Sequence, residues 1–188
     1  MMEQLVKFFH GGGSEEDFEA DEKLVSSLKK ELGADYVLQY PFLPNDGSPD
    51  LGRRRQISSE IAAGDDGVIL VGHSFGASML LVCLSESDVR KHIGGVFLLA
   101  TPFWKGEEDW VQPFKLNADF AEKIDKNIPL FFYHCRDDEE VPFEQQSVYR
   151  KHLPWASFHE VPAGGHQFNN DLRKVAEDIK SLGERGLL

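Results

Sequence analysis

The sequence is poor in cysteine, and this scarcity limits the kinds of site that it can hold. Only Cys83 and Cys135 occur among the 188 residues. Neither belongs to a C-x-x-C pair, and no histidine stands at the spacing of a zinc ligand. Both thiols lie within or at the end of apolar runs. We therefore expect two buried, reduced thiols, with no disulfide and no metal site.

Basic residues are also few. The chain carries 20 Lys and Arg against 32 Asp and Glu, which gives a formal net charge of −12. Because a phosphate backbone is bound by clustered cationic side chains, this balance argues against a nucleic-acid partner. The one basic run, Arg53-Arg54-Arg55, is expected to be the solvated start of a helix, with an anion site as the alternative.

Long apolar runs are absent as well. No stretch approaches the roughly 18 apolar residues that span a bilayer. Glu3 and Lys7 interrupt the apolar N-terminal stretch, which predicts a strand and not a signal peptide. We expect a cytoplasmic protein with no membrane association. At this length, with 41% hydrophobic residues, the chain is expected to form one domain over residues 1–188.

The sequence does contain a regular alternation of short apolar runs with longer amphipathic ones. The short runs predict strands near Gln4–His10, Asp35–Tyr40, Gly67–Val71, Gly94–Ala100, Pro129–Cys135 and Ser157–Val161. The longer runs predict helices near Ser14–Leu32, Arg53–Ala63, Ala77–Leu84, Leu116–Ile124, Phe143–His152 and Asn169–Leu182. This alternation predicts a three-layer α/β/α sandwich around a mainly parallel sheet of about six strands. Ligands of such sheets bind beyond the carboxyl ends of the strands, so the residues after each strand matter most for function.

One of these strand ends carries the segment VGHSFGAS, Val71–Ser78. Ser74 lies two positions from Gly72 and two from Gly76, after a β-branched run and before a helix-forming one. A sharp turn there would present the Ser74 hydroxyl as a nucleophile, and bulkier residues at the two glycines would clash with it. A plain strand-to-helix turn is the alternative interpretation.

Three other strand ends carry the groups that such a serine needs. His10-Gly11-Gly12-Gly13 follow the first strand, Asp137-Asp138 the fifth and His166 the sixth. A serine hydroxyl attacks a carbonyl when an imidazole takes its proton, and a carboxylate orients that imidazole. The N–H groups of Phe75 and of Gly12 or Gly13 are expected to bind the oxyanion. Taken singly, the glycine loop could bind phosphate or be flexible, and the aspartates and the histidine could be structural.

In these motifs the sequence resembles the small single-domain serine α/β-hydrolases, close to the retinoblastoma-binding serine hydrolase type. The shared patterns are HGGG at His10, GHSFGA at Gly72, HCRDDEEVPF at His134 and GGHQF at Gly164, and they extend over nearly the whole chain. The chain order serine, aspartate, histidine is that of the nucleophile-elbow hydrolases. The resemblance implies a minimal α/β-hydrolase fold without a cap domain, and no cofactor.

The third motif also decides between the two neighbouring aspartates. Such hydrolases often read H-G-x-x-D-x-x-V-P at this place, and Asp138 is the aspartate followed by x-x-Val141-Pro142. The resemblance therefore implies the catalytic set Ser74, Asp138 and His166. Cys135 stands where the family usually has glycine, which removes no catalytic group.

Aromatic side chains follow several of the strand ends. Some are expected to pack in the core, and others to form an apolar pocket with Thr101–Phe114 as a short lid. His10 and His73, which flank the site, are expected to brace loops or line the pocket. The predicted substrate-binding residues are Phe103, Trp104, Trp110, Phe143 and Phe168.

Together these features predict a serine hydrolase that cleaves a small carboxylic ester through an acyl-enzyme, with a small-molecule acyl substrate. Two alternatives stay open. An acyltransferase would use the same residues with a different acceptor. A catalytically silent protein with the hydrolase fold would bind a protein partner, which the family resemblance allows, although such a protein needs none of the three catalytic groups.

Overall fold

A six-stranded sheet forms the centre of the protein in the computed structural model, which describes residues 3–86 and 91–184. Its strands are β1 Gln4–Phe9, β2 Tyr36–Gln39, β3 Val68–His73, β4 Ile93–Leu99, β5 Leu130–Cys135 and β6 Ser157–Val161. They lie in the order β2-β1-β3-β4-β5-β6, and every neighbouring pair is parallel. The predicted parallel sheet is confirmed, and all carboxyl ends of the strands therefore meet at one edge.

Helices cover both faces of this sheet. They are α1 Glu15–Leu32, α2 Arg53–Ala63, α3 Phe75–Glu86, α4 Phe120–Lys123, α5 Gln145–His152 and α6 Arg173–Glu184. α1 packs against α6 on one face, and α2 packs against α3 on the other. The three-layer sandwich is thus confirmed, and the described residues hold no cap domain above the edge where the strands end.

The alternation of side chains along each strand divides the core into two layers. In β1, Leu5 and Phe9 face the layer of α2 and α3, whereas Val6 and Phe8 face the layer of α1 and α6. Successive residues of a strand point to opposite faces, so a sheet covered on both sides needs near-continuous apolar runs. This requirement explains why the short apolar runs of the sequence predict the strands well.

The first helix shows how local sequence sets an element's ends. Ser14 Oγ accepts a hydrogen bond from the Asp17 N–H (3.1 Å), and Asp17 Oδ2 accepts one from the Ser14 N–H (3.0 Å), which is a capping box. Gly33 ends the helix at a φ of 78°, with its N–H donating to the Lys29 carbonyl (3.3 Å). The left-handed region favours glycine because a Cβ is strained there.

Two helix predictions need correction. The predicted helix at 169–182 begins only at Arg173, because Phe168–Asn170 form a 3-10 turn in which all three φ values are positive, from 50° to 53°. The predicted helix at 116–124 is a single turn, Phe120–Lys123. In both cases the helix is shorter than the apolar spacing predicted, because irregular backbone replaces its first turns.

The interpretation of Arg53 as a solvated residue is wrong. Its side chain is fully buried. The guanidinium donates to the Gly12 carbonyl (3.2 Å) and to Gln56 Oε1 (2.8 Å), and it lies over the ring of Phe75. Arg53 thus supports the loop after β1, while Arg54 and Arg55 pair with carboxylates on the surface.

The prediction that both thiols are buried and free is confirmed. Cys83 and Cys135 are free and buried, and burial raises their pKa values to about 11 and about 12. Across the part of the chain that the structure describes, none of the helices combines the length and the apolar character that a membrane span requires.

Candidate active site

Ser74 lies at the junction between β3 and α3, where the backbone turns sharply. Its φ is 51°, a left-handed value that is uncommon for a residue with a side chain. Its N–H donates to the carbonyl of Leu99 at the end of β4 (2.8 Å), and its own carbonyl accepts the first helical hydrogen bond, from Ser78 (3.1 Å). This strained turn leaves the Ser74 side chain partly exposed at the edge of the sheet.

The two glycines of the motif are required by close backbone contacts. A Cβ at Gly72 would lie 2.7 Å from the Cα of Ala77. A Cβ at Gly76 would overlap the carbonyl oxygens of Phe9 and His10 at the end of β1. Because these neighbours are backbone atoms, they cannot rotate away. The spacing G-x-S-x-G therefore lets α3 begin against the end of β1.

Asp138 and His166 form a hydrogen-bonded pair at the ends of β5 and β6. His166 Nδ1 lies 3.0 Å from each carboxylate oxygen of Asp138. The carboxylate also accepts the backbone N–H groups of Glu140 and Val141 (2.9 Å each) and lies 3.2 Å from His134 Nε2. The Asp138 side chain is fully buried, and that of His166 is only 4% exposed. The pair is thus held rigidly, away from bulk water.

This environment shifts the pKa of both groups. Burial alone would raise the pKa of Asp138, but the hydrogen bonds that its carboxylate accepts hold that pKa well below its usual range. Burial alone would lower the pKa of His166. The hydrogen bond and the charge of Asp138, together with the charges of Glu140 and Asp21, outweigh burial and raise it. Asp138 is therefore ionised, and the imidazolium form of His166 is stabilised.

The other nitrogen of His166 faces an unexpected neighbour. Glu140 Oε2 lies 3.5 Å from His166 Nε2, and the Glu140 side chain is 66% exposed.

No hydrogen bond joins Ser74 Oγ to His166 Nε2 among the residues that the structure describes. Hydrogen bonds between catalytic groups are often long in free enzymes and shorten when substrate binds. Ser74 and Glu140 line one open cleft of about 470 Å³.

The glycine loop after β1 lies directly beside Ser74. A Cβ at Gly11 would come within 3.2 Å of the Ser74 Cβ. The Gly13 N–H donates to Asp17 Oδ2 (3.0 Å), so it is engaged and does not fit the predicted oxyanion contact. The Gly12 N–H has no acceptor among the described residues, so of these two N–H groups only that of Gly12 is unengaged there.

The second predicted donor, Phe75, opens α3. The first N–H groups of a helix have no partner within the helix, so the Phe75 N–H is available at this position. Its ring packs against the rings of Trp104 and Phe114, with centroids 6.2 and 5.1 Å away. These contacts and the guanidinium of Arg53 fix the start of the helix.

A model of the serine hydrolase family, described as "Serine hydrolase", matches residues 52–172, more than half of the chain. The protein belongs to the serine hydrolase family. The matched region includes the turn at Ser74, the Asp138 loop and His166. A comparison with curated proteins found no match.

Solved structures show the same fold at low sequence identity. The ydeN gene product from B. subtilis is 21% identical, with a TM-score of 0.76 over 96% of this chain and 99% of that one. SOBER1 from Arabidopsis thaliana is 19% identical, with a TM-score of 0.70 over 96% and 99%. Est1E from Butyrivibrio proteoclasticus is 16% identical, with a TM-score of 0.72 over 98% and 88%. This serine hydrolase therefore has the α/β-hydrolase fold.

Three of the five predicted substrate-binding residues line the cleft beside Ser74. They are Phe103, Trp104 and Trp110, and the other apolar residues of the lining are Pro102, Val111, Val141 and Pro142. Trp104 is held in place by a hydrogen bond from its Nε1 to Ser78 Oγ (3.0 Å). The aromatic cleft of this serine hydrolase is thus built from the segment after β4 and the loop after β5.

The other two predicted residues lie elsewhere. Phe143 packs against His134, with ring centroids 5.6 Å apart, and under the guanidinium of Arg136. Phe168 is buried in the core layer of α1 and α6 and borders a separate concavity beside α6. Phe168 is thus a core residue of the 3-10 turn and does not line the cleft, although it is near His166 in sequence.

Two acidic residues that the sequence analysis did not assign to the site hold the His166 loop. Asp137 Oδ1 accepts the N–H groups of Gly164 and Gly165 (2.9 Å each). Glu139 Oε2 accepts the N–H of His166 itself (3.0 Å). The whole acidic segment of this serine hydrolase thus acts on one loop. The only sign of this role in the sequence was the run of acidic residues directly before Val141.

Proposed function

We propose that this serine hydrolase is a carboxylesterase that acts on small-molecule esters, with Ser74 as nucleophile, His166 as acid and base, and Asp138 as the residue that orients His166. The observation that supports it best is the buried Asp138–His166 hydrogen bond at the sheet edge where Ser74 stands in a strained turn. An imidazole whose Nδ1 is held by a carboxylate presents Nε2 as the base.

In this proposal the reaction has two steps. Ser74 Oγ attacks the ester carbonyl carbon while His166 Nε2 takes the hydroxyl proton, and the N–H groups of Phe75 and Gly12 bind the oxyanion. The tetrahedral intermediate expels the alcohol, which receives the proton from His166, and an acyl-Ser74 ester remains. Water, deprotonated by His166, then attacks that ester and releases the acid and the free Ser74 hydroxyl.

Reduced, buried thiols fit a reducing compartment, so we also propose the cytoplasm as the place of action. Fractionation of cells with an antibody against the full chain tests this location. Recovery of the protein in a secreted fraction would refute it.

A fluorophosphonate probe tests the nucleophile directly. We expect labelling of wild-type protein at Ser74, and no labelling of Ser74→Ala or of heat-unfolded wild type. Ser74→Ala should fold normally, because it removes one hydroxyl from a partly exposed turn, and should lose about a thousandfold or more in ester turnover. Wild-type turnover by this variant, or labelling at another serine, would refute the assignment.

A further inference from the structure

A second histidine lies directly behind Ser74, with a partner at each ring nitrogen. His73 Nδ1 is 2.9 Å from Asp21 Oδ2, and His73 Nε2 is 3.0 Å from the backbone carbonyl oxygen of His166. The side chains of His73 and Asp21 are only 1% and 2% exposed. The ring of His73 lies 4.8 Å from that of His166, centroid to centroid.

Both partners of His73 are hydrogen-bond acceptors. A backbone carbonyl oxygen only accepts. Burial alone would raise the pKa of Asp21, but its hydrogen bonds from His73, Gly11 and Gln167 hold that pKa below the usual range, so Asp21 is a carboxylate. Donation from both nitrogens of His73 requires a proton on each, which is the imidazolium form in a buried ion pair with Asp21.

His10, at the same edge of the sheet, shows the opposite arrangement. Its Nδ1 lies 2.7 Å from the Gly11 carbonyl oxygen, while its Nε2 accepts the N–H of Leu43 (3.1 Å). One nitrogen donates and the other accepts, which is the pattern of a neutral imidazole, and burial lowers the pKa of His10. Both histidines are buried, so the difference between them lies in their partners and not in burial.

The carboxylate of Asp21 extends the ion pair to two further loops. Asp21 Oδ2 also accepts a hydrogen bond from the N–H of Gly11 (2.9 Å), and Asp21 Oδ1 accepts one from Gln167 Nε2 (3.0 Å). The pair therefore joins the loop after β1, the end of β3 and the loop after β6. These are the segments that carry the proposed oxyanion donor, nucleophile and base.

We propose that His73, as an imidazolium paired with Asp21, is a positioning residue that holds the His166 loop against Ser74 through the carbonyl of His166. This inference rests on the proposed function, because it assigns the proton transfer to His166. The titratable groups that face His73 are Asp21 from α1 and His166 from the loop after β6. A displacement of about 1 Å in a catalytic group can cost about a hundredfold in rate.

Two substitutions separate this role from a stabilising ion pair. His73→Asn places an amide nitrogen near the position of Nδ1, so it keeps a donor to Asp21 and loses the bond to the His166 carbonyl. His73→Gln places its amide nitrogen near the position of Nε2, so it keeps that bond and loses the donor to Asp21. Both variants lose the buried positive charge, so both should lower the melting temperature.

We expect kcat for a neutral ester to fall about 10- to 100-fold in His73→Asn, with KM changed by less than about threefold, and to fall clearly less in His73→Gln. Equal losses of kcat in the two variants, or a kcat that stays at the wild-type value in both, would overturn the proposal. His92→Asn, at an exposed position near the opposite edge of the sheet, controls for histidine replacement.

The charge of His73 is tested on the wild-type protein, so it does not depend on how the variants fold. In ¹⁵N-labelled protein at pH 7, we expect both ring nitrogens of His73 to carry protons that exchange slowly with water. A single ring proton on His73 would overturn the proposal. Fluorophosphonate labelling of the same sample tests the proposed function separately, because it reports on Ser74 whatever the state of His73.

Discussion

Glu140 Oε2 lies 3.5 Å from His166 Nε2, the nitrogen that must take the proton of Ser74 in the proposed reaction. The carboxylate is largely exposed and lines the cleft together with Ser74. Its charge is one of the causes that raise the pKa of His166, after the hydrogen bond and charge of Asp138. Glu140 therefore stabilises the protonated, inactive form of the base.

This relationship predicts a shift in the pH dependence of Glu140→Gln. Removing the carboxylate destabilises the imidazolium, so the pKa of His166 falls and the unprotonated base persists to lower pH. The acidic limb of kcat/KM should move to lower pH, by less than about one unit because the carboxylate is solvated. The measurement is a pH–rate profile with a neutral ester.

Glu107→Gln is the matched control for this profile. Glu107 carries the same charge, is 99% exposed and pairs only loosely with Lys115 (3.8 Å). Its profile should match the wild type. An acidic limb that moves to higher pH in Glu140→Gln, or one that moves equally in both variants, would contradict the role given to Glu140.

Replacing each of the two neighbouring aspartates by asparagine should lower kcat by very different amounts. Asp138→Asn leaves His166 facing an amide instead of the carboxylate that holds its tautomer, which costs about four orders of magnitude in kcat in a well-studied protease triad. Asp137→Asn keeps the oxygen that accepts both glycine N–H groups, so kcat should fall about tenfold or less. Steady-state kinetics of both variants decides this, and a larger loss in Asp137→Asn would reverse the assignment.

The contacts of Gly76 predict a loss of stability from a single methyl group. In Gly76→Ala the new Cβ overlaps the backbone oxygens of Phe9 and His10, so α3 must move away from β1. The free energy of unfolding should fall by about 3 kcal/mol or more, since overpacking alone costs about 1–3 kcal/mol. Urea unfolding of Gly47→Ala is the control. Gly47 has a positive φ and open space around it, whereas Gly76 has the clash without a positive φ. A loss in Gly47→Ala as large as that in Gly76→Ala would contradict the weight given to the clash.

The cleft predicts a preference for short, uncharged acyl groups. Its volume of about 470 Å³ and its aromatic wall suit a short chain, and each buried methylene contributes roughly 0.8 kcal/mol. The net charge of −12 disfavours anionic substrates. In a panel of chromogenic esters, acetyl to hexanoyl esters should have the highest kcat/KM. Best activity on palmitoyl esters or on anionic phosphodiesters would contradict this preference.

The sequence by itself determined the order and type of the main elements. Strands buried on both faces need continuous apolar runs, and this local requirement is visible at β1, β3, β4 and β5 without any tertiary information. The turn at Ser74 was predictable for a similar reason, because its two glycines lie within two residues of the strained position. The preference for Asp138 over Asp137 came from the resemblance of a local segment of nine residues to a motif of the family.

Tertiary structure alone decided the relationships between loops that follow different strands. Asp21 and His73 lie 52 positions apart, and His73 and His166 lie 93 apart. Phe168 is near His166 in sequence, but it is buried in the core layer of α1 and α6 and does not line the cleft. The spacing of apolar residues along a helix or strand indicates which of its faces is buried. Which side chains meet at the sheet edge depends on loop geometry, and no local pattern in this sequence encodes it.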